Sequence, residues 1–145
     1  MALAATDNSG GSGVKQITYS SSGAQAISST PVSGASTSVS ITTEGTTTIS
    51  YFATDNANNV ETTKTVTVKL DKDVPAITGL RAPPANAFGW NNQDVIVTFA
   101  CDDSGSGGSG IKSCVAGGTN PPAPSRVLSG NGADQSVTGT AVDVA

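Results

Sequence analysis

The chain has 145 residues, enough for one or two small domains, and a net charge of −4 with no histidine. Charged residues make up only 12% of it, and an acidic chain without clustered lysine or arginine is poorly suited to bind nucleic acid or anionic membrane surfaces. No apolar run is long enough to span a bilayer, and the commonest general base is missing, so we expect neither a membrane span nor an enzyme.

Segments with alternating or β-branched residues follow one another along the chain and predict an all-β fold. In chain order the predicted strands are 14–20, 37–41, 46–54, 63–70, 94–101, 126–129 and 135–142. Two further strands are expected in PAITGL, from Pro75, and in IKSCVAGG, from Ile111. Turns rich in Gly, Asn and Asp separate the strands, and no window has helical spacing with caps.

Two markers recur in the same order along the sequence. TDNSGGSGVKQI, from Thr6, matches CDDSGSGGSGIKSC, from Cys101, and Gly13 aligns with Gly110. EGTTTISYFATDNANN, from Glu44, matches GADQSVTGTAVDVA, so that Asp55 aligns with Asp143. The spacing of about 90 residues indicates two copies of one unit, and a unit of this size with short strands suits an immunoglobulin-like sandwich.

The joint between the copies is predicted at KLDKDVPAITGL, where Asp and Pro interrupt the strand pattern. We therefore predict two tandem immunoglobulin-like β-sandwich units, 1–73 and 74–145. The first is expected to lack its N-terminal strand and the second its C-terminal strand, which leaves an exposed edge on each. The chain is thus expected to be a segment of a longer repeat array.

The loop between the two cysteines invites several chemical interpretations. Its glycines match G-x-G-x-x-G, but a strand rather than a helix follows, so no helix N-terminus is available for a pyrophosphate. An EF-hand loop starting at Asp102 would end at Ser113 instead of Glu. Zinc would need two more ligands, and the spacing is not that of a C-x-x-C redox pair.

A disulfide between Cys101 and Cys114 is the favoured interpretation. The two residues lie on successive predicted strands, and opposed residues of antiparallel strands lie about 4.5–5.5 Å apart, which suits a disulfide. The first unit has Thr6 and Ile17 at the matching positions, so both cysteines are absent together, as partners would be. A disulfide places the protein in an oxidising, extracytoplasmic compartment.

Six aspartates lie in end loops, at strand ends or in the linker, and two interpretations of them stay open. They could hold one weakly bound Ca²⁺ at a domain junction, or they could be turn residues whose carboxylates bond their own backbone. The turn interpretation is the simpler. The residues are Asp7, Asp55, Asp71, Asp73, Asp102 and Asp143.

Trp90 is the chain's single tryptophan and lies in AFGWNN. Its ring could close the edge of a sandwich, which is the commoner role, or stack on a sugar in a carbohydrate site.

The segment EGTTTISYFATDNANNVETTKTVTVKLDKDVP resembles the bacterial Ig-like (HYR-like) repeats of secreted and cell-surface proteins. VIVTFACDDSGSGGSGIKSC with GADQSVTGTAVD resembles the cysteine-bearing version. The chain departs from the pattern at Asn58, where the repeats have Gly, so a tighter or differently posed turn is expected there.

The resemblance implies a non-catalytic stalk, spacer or adhesion module of a larger extracellular protein. Its partners would be neighbouring repeats of the same polypeptide and a cell-surface glycan or protein ligand. The alternative that it implies is a calcium- or carbohydrate-binding accessory module of a secreted hydrolase.

Overall fold

The computed structural model describes residues 1–105 and 107–145, and in these residues the chain is all-β, as predicted. It divides into two compact units, Met1–Asp71 (unit 1) and Lys72–Ala145 (unit 2). The strands of unit 1 are β1 Ala2–Ala4, β2 Val14–Gly23, β3 Ile27–Ser33, β4 Ser36–Ser38, β5 Gly45–Asp55 and β6 Lys64–Leu70. Those of unit 2 are β7 Ala76–Ala82, β8 Val95–Asp102, β9 Ile111–Ala116, β10 Ser125–Leu128 and β11 Gly139–Asp143.

Unit 1 is a sandwich of two antiparallel sheets. Strands β3, β2, β5 and β6 form one sheet in that order, and β1 pairs with β4 in the other. Leu3 and Val39, from the side of the small sheet, pack against Ile17 and Ile49 of the large sheet. All four side chains are at most 4% exposed. Burying each of them stabilises the fold by about 1.5–3 kcal/mol, which holds the sheets face to face.

Strand β3 was not predicted, and its place in the sheet explains why. It carries Pro31 and three serines, a composition that resembles a loop more than a strand. It lies at the edge of the four-stranded sheet, where a residue without an N–H is tolerated because one side of the strand has no ladder. At the other end of the chain, the predicted strand 135–142 is shorter in the structure, where β11 begins at Gly139.

Unit 2 also consists of two antiparallel sheets, with order β7–β8–β10 in one and β9–β11 in the other. Phe99 of β8 extends from the first sheet to the second. A Cβ atom added at Gly139 of β11 would lie 2.5 Å from Cδ1 of the Phe99 ring. Only glycine leaves room for the ring at this position, and the contact brings the two sheets together.

Cys101 and Cys114 form the predicted disulfide, with their Cα atoms 5.9 Å apart. Their expected arrangement as opposed residues of one antiparallel pair is wrong. Cys101 pairs with Ile77 in the β7–β8–β10 sheet, whereas Cys114 pairs with Ala141 in the β9–β11 sheet. The bond therefore joins the two sheets of unit 2, because the loop that follows β8 carries the chain from one sheet to the other.

The pairing registers of the two units coincide in detail. In unit 1, Val14 lies opposite Asp55 and Gln16 opposite Thr54, so Lys15 is an extra residue that forms a β-bulge. In unit 2, Ile111 lies opposite Asp143 and Ser113 opposite Val142, so Lys112 is the extra residue. A bulge at the same point in both copies supports the repeat that the sequence predicted.

Candidate functional site

The Gly/Ser loop of unit 1 is held by hydrogen bonds to the end of β5. Asp7 accepts the backbone N–H groups of Asn8 at 2.8 Å and Gly13 at 2.7 Å. The Gly13 carbonyl in turn accepts the N–H of Asn56 at 3.0 Å, and the Ser12 hydroxyl accepts that of Ala57 at 3.1 Å. We call this set of bonds the loop latch; it ties the β1–β2 loop to the turn after β5.

Unit 2 contains the same latch. Asp103 accepts the N–H of Gly110 at 2.7 Å. The Gly110 carbonyl accepts the N–H of Val144 at 3.0 Å, and the Ser109 hydroxyl accepts the N–H of Ala145 at 3.0 Å. Gly13 and Gly110 both have positive φ angles, 83° and 92°, which favour glycine at this position. The last serine and glycine of the motif, Ser12 and Gly13 in unit 1 and Ser109 and Gly110 in unit 2, thus bond backbone groups in both copies.

The latch corrects two alignments made from the sequence. Asp103, and not Asp102, occupies the position of Asp7, since it makes the same bond to the last glycine of the loop. Counting back two residues from each of these aspartates places Ala5, and not Thr6, at the position of Cys101. Ala5 packs against the core cluster that contains Ile17, the counterpart of Cys114. An apolar contact in unit 1 therefore stands where unit 2 has its disulfide.

Asp55 organises the turn after β5. Its carboxylate accepts the backbone N–H and the side-chain amide of Asn59, each at 2.8 Å. The hydrogen bond from the Asn59 side chain is the largest cause that lowers the pKa of Asp55 below its ordinary value of 3.8, and desolvation acts in the opposite direction. Asn58, in the same turn, has φ 68°, a conformation that glycine adopts most easily and asparagine tolerates.

The remaining candidate calcium ligands lie in loops and at a strand end. Asp102 accepts the Ser104 hydroxyl at 2.8 Å, and Asp143 ends β11 opposite Ile111. Asp71 and Asp73 lie between β6 and β7 and have interactions of their own. Asp7 and Asp55 border one groove of unit 1. Among the described residues, no group of three or more Asp, Glu, Cys or His side chains is arranged to hold a metal ion.

Trp90 lies in a loop after β7 that is held by hydrogen bonds between its own residues. The side-chain oxygen of Asn86 accepts the N–H groups of Phe88 and Trp90, each at 3.0 Å, and the Asn86 N–H donates to the Trp90 carbonyl at 2.8 Å. The Asn91 side chain closes the loop by donating to the carbonyls of Pro83 and Pro84. The Asn86 bonds hold two aromatic residues in a fixed backbone geometry.

Both aromatic rings are exposed: Phe88 is 87% and Trp90 55% accessible to solvent. Trp90 therefore does not close the sandwich as a buried ring would. It borders a cleft of about 460 Å³ in unit 2 together with Phe88 and polar side chains. We call this the Trp90 cleft; its polar residues are Arg81, Asn91, Gln93, Asp134 and Gln135.

The Trp90 cleft combines flat apolar surface with planar hydrogen-bonding groups. Aromatic rings offer contact area at little cost in conformational entropy, and amide, guanidinium and carboxylate groups bond hydroxyls at defined angles. Sequence reasoning singled out Trp90 but missed Asn86, Phe88 and Arg81. A usable signal existed, since two of the few aromatics flank one glycine in NAFGWNN, between prolines and a strand.

No protein-family model, curated protein or solved structure matches this chain. Within the described residues, no helix has the length and apolar character needed to cross a membrane.

Proposed function

We propose that the chain is a non-catalytic structural or adhesion module, two immunoglobulin-like units in series, within a larger extracellular or cell-surface bacterial protein. The observation that carries the proposal is the loop latch, repeated with the same partners in both units. Within the latch, the carboxylates of Asp7 and Asp103 and the hydroxyls of Ser12 and Ser109 all accept backbone N–H groups. Mechanical modules in series need bonds that keep each unit folded, and the loop latch provides such bonds in both units.

The disulfide supports an extracytoplasmic location, because such bonds persist in oxidising compartments. It also suits a load-bearing role, since it joins the two sheets of unit 2. While the bond is intact, force cannot extend the segment between the two cysteines, whose sequence separation is 13.

Force spectroscopy on the full chain, held at its two ends, tests the mechanical proposal. We expect two separate unfolding events above background force. Reduction should lengthen one of them by about 40 Å, since a sequence separation of 13 at about 3.5 Å per residue replaces a Cα–Cα distance of 5.9 Å, and leave the other unchanged. A chain that extends without resistance would contradict the proposal.

Carbohydrate binding at the Trp90 cleft is a second candidate function, favoured by the exposure of Trp90 and Phe88. The apolar face of a sugar ring would pack on the indole, and its hydroxyls would bond the polar side chains of the cleft. Because Trp90 is the only tryptophan, its fluorescence reports directly on the cleft.

A panel of neutral soluble polysaccharides, titrated against the full chain, tests this second function. We expect a change in Trp90 emission and calorimetric binding that Trp90→Ala abolishes. Val74→Ala is the matched control, because Val74 is 85% exposed and does not border the cleft. Absence of binding to the whole panel, or binding that survives Trp90→Ala, would reject a carbohydrate role for the cleft.

A further inference from the structure

The loop between β10 and β11 presents an asparagine and a glycine to solvent. The Gln135 side chain donates to the Gly130 carbonyl, and this bond encloses the residues between them. Asn131 and Gly132 lie in the enclosed segment, and both are exposed. Gly132 has φ 146°, a conformation that L side chains rarely adopt. The segment thus holds an Asn-Gly pair outside the sheets and open to water.

No other asparagine of the chain has this neighbour. Asn131 is the only one that glycine follows in the sequence. A side chain on the following residue hinders its backbone nitrogen from approaching the asparagine amide, and glycine has no such side chain. The surroundings leave room as well, because a Cβ atom added at Gly132 would meet no heavy atom within 4 Å. The Gly132 nitrogen is therefore sterically free to reach the Asn131 side chain.

The Gly132 N–H is also free of hydrogen bonds. Within the part of the chain that the structure describes, it donates to no other group. Asn58 differs, because the N–H of its neighbour Asn59 donates to the Asp55 carboxylate at 2.8 Å. That bond must break before the Asn59 nitrogen can react, whereas nothing has to break at Gly132.

We propose that Asn131 and Gly132 form a modification site at which the chain converts its own asparagine to aspartate and isoaspartate. The Gly132 nitrogen attacks Cγ of Asn131, so that an N–Cγ bond forms and the Cγ–Nδ2 bond breaks. Nδ2 leaves as ammonia and carries away the proton of the Gly132 N–H. The product is a cyclic succinimide, which water then opens.

The bond that water breaks decides which product forms. Cleavage between the Gly132 nitrogen and Cγ restores the original backbone, with aspartate in place of Asn131. Cleavage between the same nitrogen and the carbonyl carbon of residue 131 gives isoaspartate, in which the main chain runs through Cβ and Cγ and is longer by one carbon. Both products carry a carboxylate, so each adds one negative charge to a chain whose net charge is −4. Water is the only reactant besides the chain, and no oxidant or reductant takes part.

The modification changes the rim of the Trp90 cleft. Gly130 and Gly132, which flank Asn131, both border the cleft, and so does Asp134. The new carboxylate is therefore close in sequence to an existing one at the same rim, and the two charges repel an anionic group there.

Incubation of the full chain in mildly alkaline buffer, followed by trypsin digestion and mass spectrometry, tests the proposal. No Lys or Arg follows Arg126, so the last fragment contains residues 127–145, and Asn131 is its only asparagine. We expect this fragment to gain the mass difference between an amide and a carboxyl group and to separate into two forms. One form should be a substrate of an isoaspartyl methyltransferase. Fragment 16–64 is the internal control, because it contains Asn58, and its mass should not change.

Asn131→Gln is the matched variant, because glutamine has to close a larger ring and reacts more slowly. We expect it to lose the mass change over the same incubation and to keep the melting curve of the original chain, since residue 131 is exposed. An unchanged mass of fragment 127–145 in the original chain would overturn the proposal. So would a mass change that persists in Asn131→Gln, or one that occurs faster in fragment 16–64.

Discussion

Asp103 accepts a hydrogen bond from the backbone N–H of Gly110 at 2.7 Å. Asp7 and Gly13 make the same bond at the same distance in unit 1. In both units the glycine carbonyl then accepts an N–H from the residue after the Asp that ends β5 or β11. The glycine-rich motif is therefore a structural element in which a carboxylate fixes the loop and the loop fixes the end of the opposite sheet.

Removal of the latch carboxylate should destabilise the unit that contains it. For Asp103→Ala we expect a loss of about 1.5–3 kcal/mol in the free energy of unfolding, the usual contribution of a partly buried hydrogen bond to a charged group. Amide hydrogen exchange can assign the loss to β9 and β11, while exchange in β2 and β5 should not change. Asp94→Ala is the control, because Asp94 is an exposed loop residue. Equal effects of the two substitutions would contradict the role of the latch.

The Asp55 carboxylate should titrate below pH 3.8 in the folded chain. Because the pKa in the folded state is lower than that in the unfolded state, the ionised form stabilises the fold above the unfolded pKa. This stabilisation is lost as the pH falls through the folded pKa. Asn59→Ala should move the pKa back toward 3.8, since the Asn59 side chain is the largest cause of the shift. Carboxyl carbon NMR titration measures both values, and a midpoint at or above 3.8 in the original chain would be inconsistent with this geometry.

Loss of the disulfide should weaken unit 2 and leave unit 1 unchanged. With a sequence separation of 13, the chain-entropy estimate for Cys101→Ser with Cys114→Ser is about 3 kcal/mol. Denaturant unfolding measures this difference.

Cys101→Ala with Cys114→Ile is the informative comparison, because it installs in unit 2 the pair that unit 1 has at Ala5 and Ile17. The apolar pair should be more stable than the serine pair by about 1–2 kcal/mol, since isoleucine restores buried apolar surface. If the serine pair is as stable as the apolar pair, the structural equivalence of these positions is wrong.

Calcium should not change the melting temperature. Asp7 and Asp55 are engaged with backbone N–H groups, and the described residues contain no group of three metal-binding side chains. A site with Kd on the order of 1 mM would add about 1.4 kcal/mol at about 10 mM calcium, which is several degrees for a domain of this size. A rise of that size with calcium but not with magnesium would support a calcium site instead.

The disulfide illustrates how far local patterns lead. The sequence holds two cysteines, and their absence together from the other copy predicts their pairing without any knowledge of the sheets. Sheet membership was predicted wrongly, because strands next to each other in sequence were taken as neighbours in one sheet. Whether two successive strands share a sheet depends on the path of the loop between them, which strand patterns do not encode.

The Trp90 cleft illustrates a different limit. The composition of PPANAFGWNN predicts a loop but not which groups its asparagines will bond. The Asn86 side chain accepts the N–H groups of Phe88 and Trp90, and both rings are exposed. Three hydrogen bonds around Asn86 thus fix the backbone of the loop that carries the exposed Trp90.

From its sequence alone, this protein could be recognised as an all-β chain of two related units with one disulfide. Side-chain alternation and turn residues are properties of neighbouring positions, and repetition is found by comparing two stretches of sequence. All three can therefore be identified without knowledge of the fold. Only the tertiary structure decided which strands share a sheet and which aspartate closes each loop. These features arise from hydrogen bonds between residues that are distant along the chain, and they depend on how the sheets pack.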